Sequence, residues 1–154
     1  MTAGPIVRLP GDSRRIEDGG IEVLVHADDS TTDGQFALIE TGEGTVGLGP
    51  PLHIHHDCAE SFVVLAGRYA MSIDDAEYEC PPGSFVYVPK GTRHTFKNLE
   101  ANSRKLNLYT PAGMVGYFDE LAAGIAAGMT DADLEAIARR YAMEVVGPVP
   151  EGYL

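Results

Sequence analysis

Between residues 5 and 109 the chain breaks into about ten short apolar runs, each closed within a few residues by Gly, Pro, Asp or Asn. This rhythm restricts the possible folds more than any other feature. The runs are IVRL (6–9), IEVLVHA (21–27), QFALIET (35–41), PLHIH (51–55), SFVVLAG (61–67), YAMSI (69–73), AEYEC (76–80), SFVYV (84–88), HTFKN (94–98) and RKLNLY (104–109). Each has the length of a strand rather than of a helix. So many strands in a flat sheet would leave long edges open, so the reading is all-β, a closed barrel or a double-sheet jelly roll. The 18 Gly and 10 Pro, scattered without period, supply the turns that such a fold needs.

The period changes after Thr110-Pro111-Ala112-Gly113. Phe118, Leu121, Ala122 and Ile125 recur at i, i+3, i+4 and i+7, one apolar stripe along a helix. Thr130, with Asp133 three residues on, resembles a capping box, and Leu134, Ile137, Ala138 and Tyr141 repeat the helical spacing. The closing VVGPVPEGYL reads as extended. The 154 residues therefore read as one unit in two parts, a β-barrel over 1–112 and a helical extension over 113–154 packed upon it.

A formal charge of −12 repels phosphate backbones and anionic headgroups, which excludes nucleic acid and membrane surfaces as expected partners. No apolar run approaches the ~18 residues of a membrane span, and the N-terminal MTAGPIVRLPGDSRR lacks a signal-peptide core, so no targeting or anchoring segment is expected. Cys58 and Cys80 show neither CxxC spacing nor disulfide density, which suits a reduced cytoplasmic setting. Val63 and Leu65, on the outer face of their strand, call for cover by a helix or a second subunit.

The histidines carry the chemistry. His53 and His55, two apart, leave the same face of a strand with Cα atoms about 6.5 Å apart and can converge on one ion. Glu60 opens a strand that is apolar on both sides. In HTFKN the alternation sets His94, Phe96 and Asn98 against Thr95 and Lys97, which turns His94 inward. Three imidazoles and a carboxylate on inward faces suit one divalent transition metal with positions left for water or substrate.

These residues fall into two spaced motifs. The first runs Gly47, five residues, His53-x-His55, four residues, Glu60, six residues, Gly67. The second runs Gly83, five residues, Pro89-x-Gly91, two residues, His94, three residues, Asn98. Both intervals resemble those of the cupin superfamily, strongly over 47–67 and 83–98 and weakly in the N-terminal arm and the C-terminal helices. The resemblance implies the cupin double-stranded β-helix, a short C-terminal helical extension, and metal ligation by His53, His55, Glu60 and His94. Gly67, Gly83 and the turn Pro89-Lys90-Gly91-Thr92 read as fold residues that deliver His94 to its strand.

The family hosts many reactions, and the segment PLHIHHDCAESFVVLAG is most similar to small bacterial quercetin dioxygenase-like cupins. That likeness implies a mononuclear-metal dioxygenase, an oxidoreductase acting on an enolisable flavonol- or polyketide-like molecule, with dioxygen as co-substrate and Glu60 as catalytic base. Iron, manganese, nickel, cobalt and zinc all remain open. A metal-dependent polyketide cyclase or isomerase without oxygen chemistry, and a non-catalytic small-molecule-binding protein, are the alternatives. The family's habit also implies a homodimer. Strand parity assigns the substrate pocket to Phe62, Val64, Tyr69, Met71 and Phe96, with Phe85 and Tyr87 or their neighbours completing the wall. GEGTVG (42–47) matches a dinucleotide fingerprint in letters only, because Gly49-Pro50-Pro51 follows where a helix should begin. His56 reads as a residue behind the ligands or at the surface rather than a fifth ligand, His26 as a surface or barrel-rim histidine, and Cys58 as a small buried thiol.

Overall fold

The computed structural model describes residues 2–18 and 21–154. Most of the apolar runs become strands: β1 (Arg14–Asp18), β2 (Ile21–Ala27), β3 (Ala37–Glu43), β4 (His53–His55), β5 (Ala59–Ala66), β6 (Tyr69–Ile73), β7 (Ala76–Cys80), β8 (Phe85–Val88), β9 (Arg93–Asn98), β10 (Ser103–Thr110) and β11 (Met143–Val145). One helical turn, α1 (Asp29–Thr32), follows β2, and the helices α2 (Val115–Ala126) and α3 (Asp131–Arg140) precede β11. All strand pairs are antiparallel. They form a six-stranded sheet in the order β1-β2-β3-β10-β5-β8 and a five-stranded sheet in the order β11-β4-β9-β6-β7. This is the expected jelly-roll architecture, and among the described residues no helix is long and apolar enough to cross a membrane.

Two expectations change. The run IVRL (6–9) forms no strand, and Ile6, Val7 and Leu9 are exposed; the strand lies instead at the charged segment Arg14–Asp18, where Ile16 is buried. Register with β2 outweighs the intrinsic preference of the more apolar run. The tail is not extended throughout: Tyr153 N–H closes a turn on the Pro150 carbonyl, and ahead of it β11 pairs with β4, setting Met143 opposite His55 and Val145 opposite His53.

The core has two parts. Phe62, Val64, Tyr69, Met71, Cys80 and Val88 fill one end of the barrel. A larger cluster joins Val23, Val25, Ala37 and Ile39 of the six-stranded sheet to Leu121 of α2 and Leu134, Ile137 and Ala138 of α3. Burying these stripes is what holds two short helices in place. Thr130 caps α3 with its side chain on the Asp133 N–H, and Asp133 reaches back to the Thr130 N–H, the reciprocal box expected there.

Candidate metal centre

The β4 strand sits between β9 and β11, with His53 directly opposite His94. Glu60 opens β5 in the other sheet, opposite Val88 on one side and Tyr109 on the other. The cluster is therefore assembled across both sheets. The turn before β9 is closed by the Thr92 N–H on the Pro89 carbonyl, with Gly91 at φ 84°, a left-handed conformation that glycine adopts without steric cost. The Gly91 N–H also donates to the His55 carbonyl at 2.7 Å, tying the two histidine-bearing segments together.

His53, His55, Glu60 and His94 are all buried, and one ligand atom from each lies within 4.8 Å of the others. The imidazole centroids are 4.4 to 5.4 Å apart. Nε2 of His55 and of His94 lie 3.0 and 3.1 Å from the same Glu60 oxygen, Oε2. The other oxygen, Oε1, accepts a 3.1 Å bond from the Asn107 amide.

The surrounding groups prepare the histidines as ligands. His53 Nδ1 donates to the Pro51 carbonyl at 2.7 Å, and His94 Nδ1 donates to the Thr92 carbonyl at 3.0 Å. Each bond fixes the ring and points Nε2 into the cluster, as in metal-bound histidines generally. Burial, reinforced by the neighbouring imidazoles, pushes His53 down to about 3, so its Nε2 lone pair is free at neutral pH. Burial alone would raise Glu60, but hydrogen bonds from His55 and His94 outweigh it and hold the carboxyl well below its usual range. His94 is conversely raised by Glu60 despite burial. His55 Nδ1 is buried and has no hydrogen-bond partner among the described residues. Three nitrogens and an anionic oxygen around one point, two of the rings oriented from behind, fit a divalent transition metal.

The cluster opens onto a narrow, mostly apolar cavity of about 60 Å³. Phe96 from the barrel and Met114, Tyr117, Phe118 and Leu121 from the α2 segment line it, with Met143 and Tyr153 from the tail. The C-terminal extension therefore walls the cavity of its own chain. Of the pocket residues read from the sequence, only Phe96 reaches this wall. Phe62, Val64, Tyr69 and Met71 are packed in the core behind it. Phe85 and Tyr87 point the other way and are 67% and 56% exposed, because β8 pairs with β5 so that Val86 and Val88 face inward. Parity in a run such as FVYV is ambiguous until its partner strand is known.

Sequence reading missed Asn107 and Tyr109. They share an inward face of β10 with Lys105 and Ser103, while Leu106 and Leu108 face the half-buried side. The signal was the alternation Lys105, Asn107, Tyr109, hidden by the habit of turning leucines inward. Tyr109 is raised well above its ordinary value, first by burial and then by the neighbouring Glu60 charge. His56 is exposed and pairs with Glu144, His26 bonds Ser13 and Glu40 beside β2, and Cys58 is buried with its thiol pushed up to about 12 by burial and the nearby Glu60.

A two-sheet barrel holding a His-His-Glu-His cluster inside is the defining arrangement of the cupins, and a cupin domain model matches residues 39–106. The match spans 68 of the 154 residues, and the barrel with its cluster gives the chain a cupin fold. It is 27% identical to quercetin 2,3-dioxygenase of Bacillus subtilis over 113 residues, which is 73% of this chain but 33% of that one. The chain thus spans about a third of that relative's length. Among solved structures, an RmlC-like cupin from Shewanella frigidimarina superposes with a TM-score of 0.62 at 13% identity, covering 73% of this chain and 96% of the other. KdgF from a Halomonas species superposes with a TM-score of 0.58 at 19% identity, covering 68% and 91%. Likenesses at these identities establish the fold.

Proposed function

We propose that this protein is a metal-dependent oxygenase of an enolisable aromatic small molecule, with His53, His55, Glu60 and His94 holding one divalent transition metal. The observation that carries the reading is a buried cluster of Glu60 and three imidazoles, of which Glu60, His53 and His55 face a mostly apolar cavity. Similarity to a quercetin 2,3-dioxygenase supports the reaction class. When bound, the ion supplies a Lewis acid for a chelating pair of substrate oxygens and a redox centre for dioxygen.

The chain's own residues supply the rest. Phe96, Tyr117 and Phe118 line the space that takes a flat ring, and the α2 segment and the tail exclude water from it. Glu60 Oε2 is the base that accepts the substrate hydroxyl proton. Asn107 holds Oε1, so the carboxylate keeps its orientation as Oε2 changes partner.

The outer face of β5 and β8 supports a homodimer. Leu65, Phe85 and Tyr87 are exposed there at 44%, 67% and 56%, with Val63 half-buried among them, and β8 is an edge strand with unpaired backbone groups. Both cysteines are free and buried, in keeping with a reducing cytoplasmic compartment.

Elemental analysis of protein purified without added metal, paired with an oxygen electrode and a flavonol, tests the reading. The expected result is stoichiometric transition metal and flavonol-dependent oxygen uptake. No uptake with iron, manganese, nickel or cobalt loaded overturns it in favour of a non-oxygenase such as a cyclase or isomerase. Glu60→Gln is expected to lower turnover more than metal occupancy, whereas equal losses would leave Glu60 a ligand only.

A further inference from the structure

The same cavity has a second polar wall, away from the histidine cluster. Thr41 and Glu43, neighbours in parity on β3, line it between Ile21 and Phe96. Behind them is Lys105, fully buried on β10. Its Nζ donates to Thr41 Oγ1 at 2.6 Å and to Glu43 Oε1 at 2.8 Å, and sits 3.8 Å over the centre of the Phe96 ring. Thr41 Oγ1 in turn donates to Glu43 Oε1 at 2.8 Å, and the Tyr69 hydroxyl donates to Glu43 Oε2.

Counting lone pairs makes the point. A carboxylate offers about four acceptor positions. Those on Oε1 are filled by Lys105 and Thr41, and one on Oε2 is filled by Tyr69, which leaves one on Oε2 of a residue that lines the cavity. The Glu43 charge is balanced by Lys105, so the position suits a neutral hydroxyl better than an ammonium or a second anion. Between this wall and the cluster, Asn107 holds Glu60 Oε1 with its amide, while its Oδ1 is buried with no partner among the described residues and the residue lines the same cavity.

Distance separates this wall from the metal centre. Tyr109 is the β10 residue opposite Glu60, and Lys105 lies four residues back, about 13 Å along the strand. Ring contacts run from His94 to Phe62 at 6.4 Å and from Phe62 to Phe96 at 5.9 Å, and of these two phenylalanines it is Phe96 that lines the cavity.

We infer that Glu43, held by Thr41, Tyr69 and Lys105, is a substrate subsite that accepts a hydrogen bond from a neutral hydroxyl at the end of the molecule remote from the oxygens that meet the histidines. As a statement about substrate it rests on the oxygenase reading; as a hydroxyl site it stands on the geometry alone.

Two measurements separate the two. Binding of phenol and of toluene, close in size and differing at the hydroxyl, is followed by NMR titration of the protein as purified. A hydrogen bond to a carboxylate is worth roughly ten- to hundredfold in affinity, so the phenol-over-toluene ratio is expected to fall at least about tenfold in Glu43→Gln. The double variant Glu43→Leu with Lys105→Met, which leaves no unpaired buried charge, is expected to show the same fall and serves if the single variant does not fold. In the second measurement, metal-loaded wild-type protein is titrated with a flavonol lacking, and one carrying, a hydroxyl on the ring remote from its chelating oxygens, and the second is expected to bind about tenfold tighter. An unchanged phenol-over-toluene ratio in the folded variants overturns the inference, whether or not flavonols bind. A ratio that falls while neither flavonol binds sustains the hydroxyl site and removes the oxygenase reading.

Discussion

Removing one member of the Lys105 and Glu43 pair should cost far more than removing both. Lys105 is fully buried and Glu43 is 5% exposed, with Nζ and Oε1 2.8 Å apart. At an effective dielectric of about 20, two unit charges at that separation attract by about 6 kcal/mol, against a desolvation penalty of several kcal/mol for each ion. The intact pair therefore contributes little net stability. Lys105→Met leaves the Glu43 carboxylate buried with only Thr41 and Tyr69 to satisfy it, and Glu43→Leu leaves a buried ammonium on Thr41 and the Phe96 ring. Each single change is expected to cost about 3–5 kcal/mol, or roughly 6–20 °C in Tm for a chain of this size. The double variant, which replaces both by apolar groups of similar length, is expected to lie within about 2 kcal/mol of the wild type. Urea denaturation of the metal-free protein, followed by circular dichroism, gives all four corners of the cycle. A double-variant loss equal to the sum of the single losses, within about 0.5 kcal/mol, would show that the two groups do not depend on each other and refute the reasoning.

Three other outcomes are expected. A chain ending at Ala142 loses β11 and with it the pairing opposite His53 and His55; metal affinity measured by chelator competition should fall about 10- to 100-fold, and an unchanged affinity would mean that β4 needs no support on that side. Gly49→Ala drives a Cβ into the Phe96 carbonyl of β9, so urea denaturation should register a loss of about 1–3 kcal/mol, and wild-type stability would show that the loop yields freely. Lysines in place of Phe85 and Tyr87 should convert a dimer to a monomer in size-exclusion chromatography with light scattering; a wild-type monomer, or a variant that stays dimeric, excludes this face as the contact.

The parts of the site legible in the sequence are those fixed by local spacing. His53 and His55 share a face because a strand repeats every two residues, and the Pro89 to Thr92 turn fixes the phase at which His94 enters β9. The parts that were not legible depend on partner strands distant in sequence. Whether Phe85 or Val86 faces inward is decided by pairing with β5, and the polar face of β10 turns inward because Lys105 finds Thr41 and Glu43 sixty or so residues earlier. The helices were readable from their stripes, yet their position over the cavity was not, since an amphipathic stripe declares that it must be covered and not by what. β11 was hidden for a similar reason: three residues carry too little pattern to register, and only the open flank of β4 makes them a strand.

That pairing also imposes an order on biosynthesis. The segment carrying two of the candidate ligands emerges from the ribosome about ninety residues before the segment that flanks it. Until then β4 has β9 alone for support, and Met143 and Tyr153 are missing from the cavity wall. A nascent barrel of this kind can close its sheets early, but the strand bearing His53 and His55 gains its second neighbour only once residues 143–145 have emerged to pair with it.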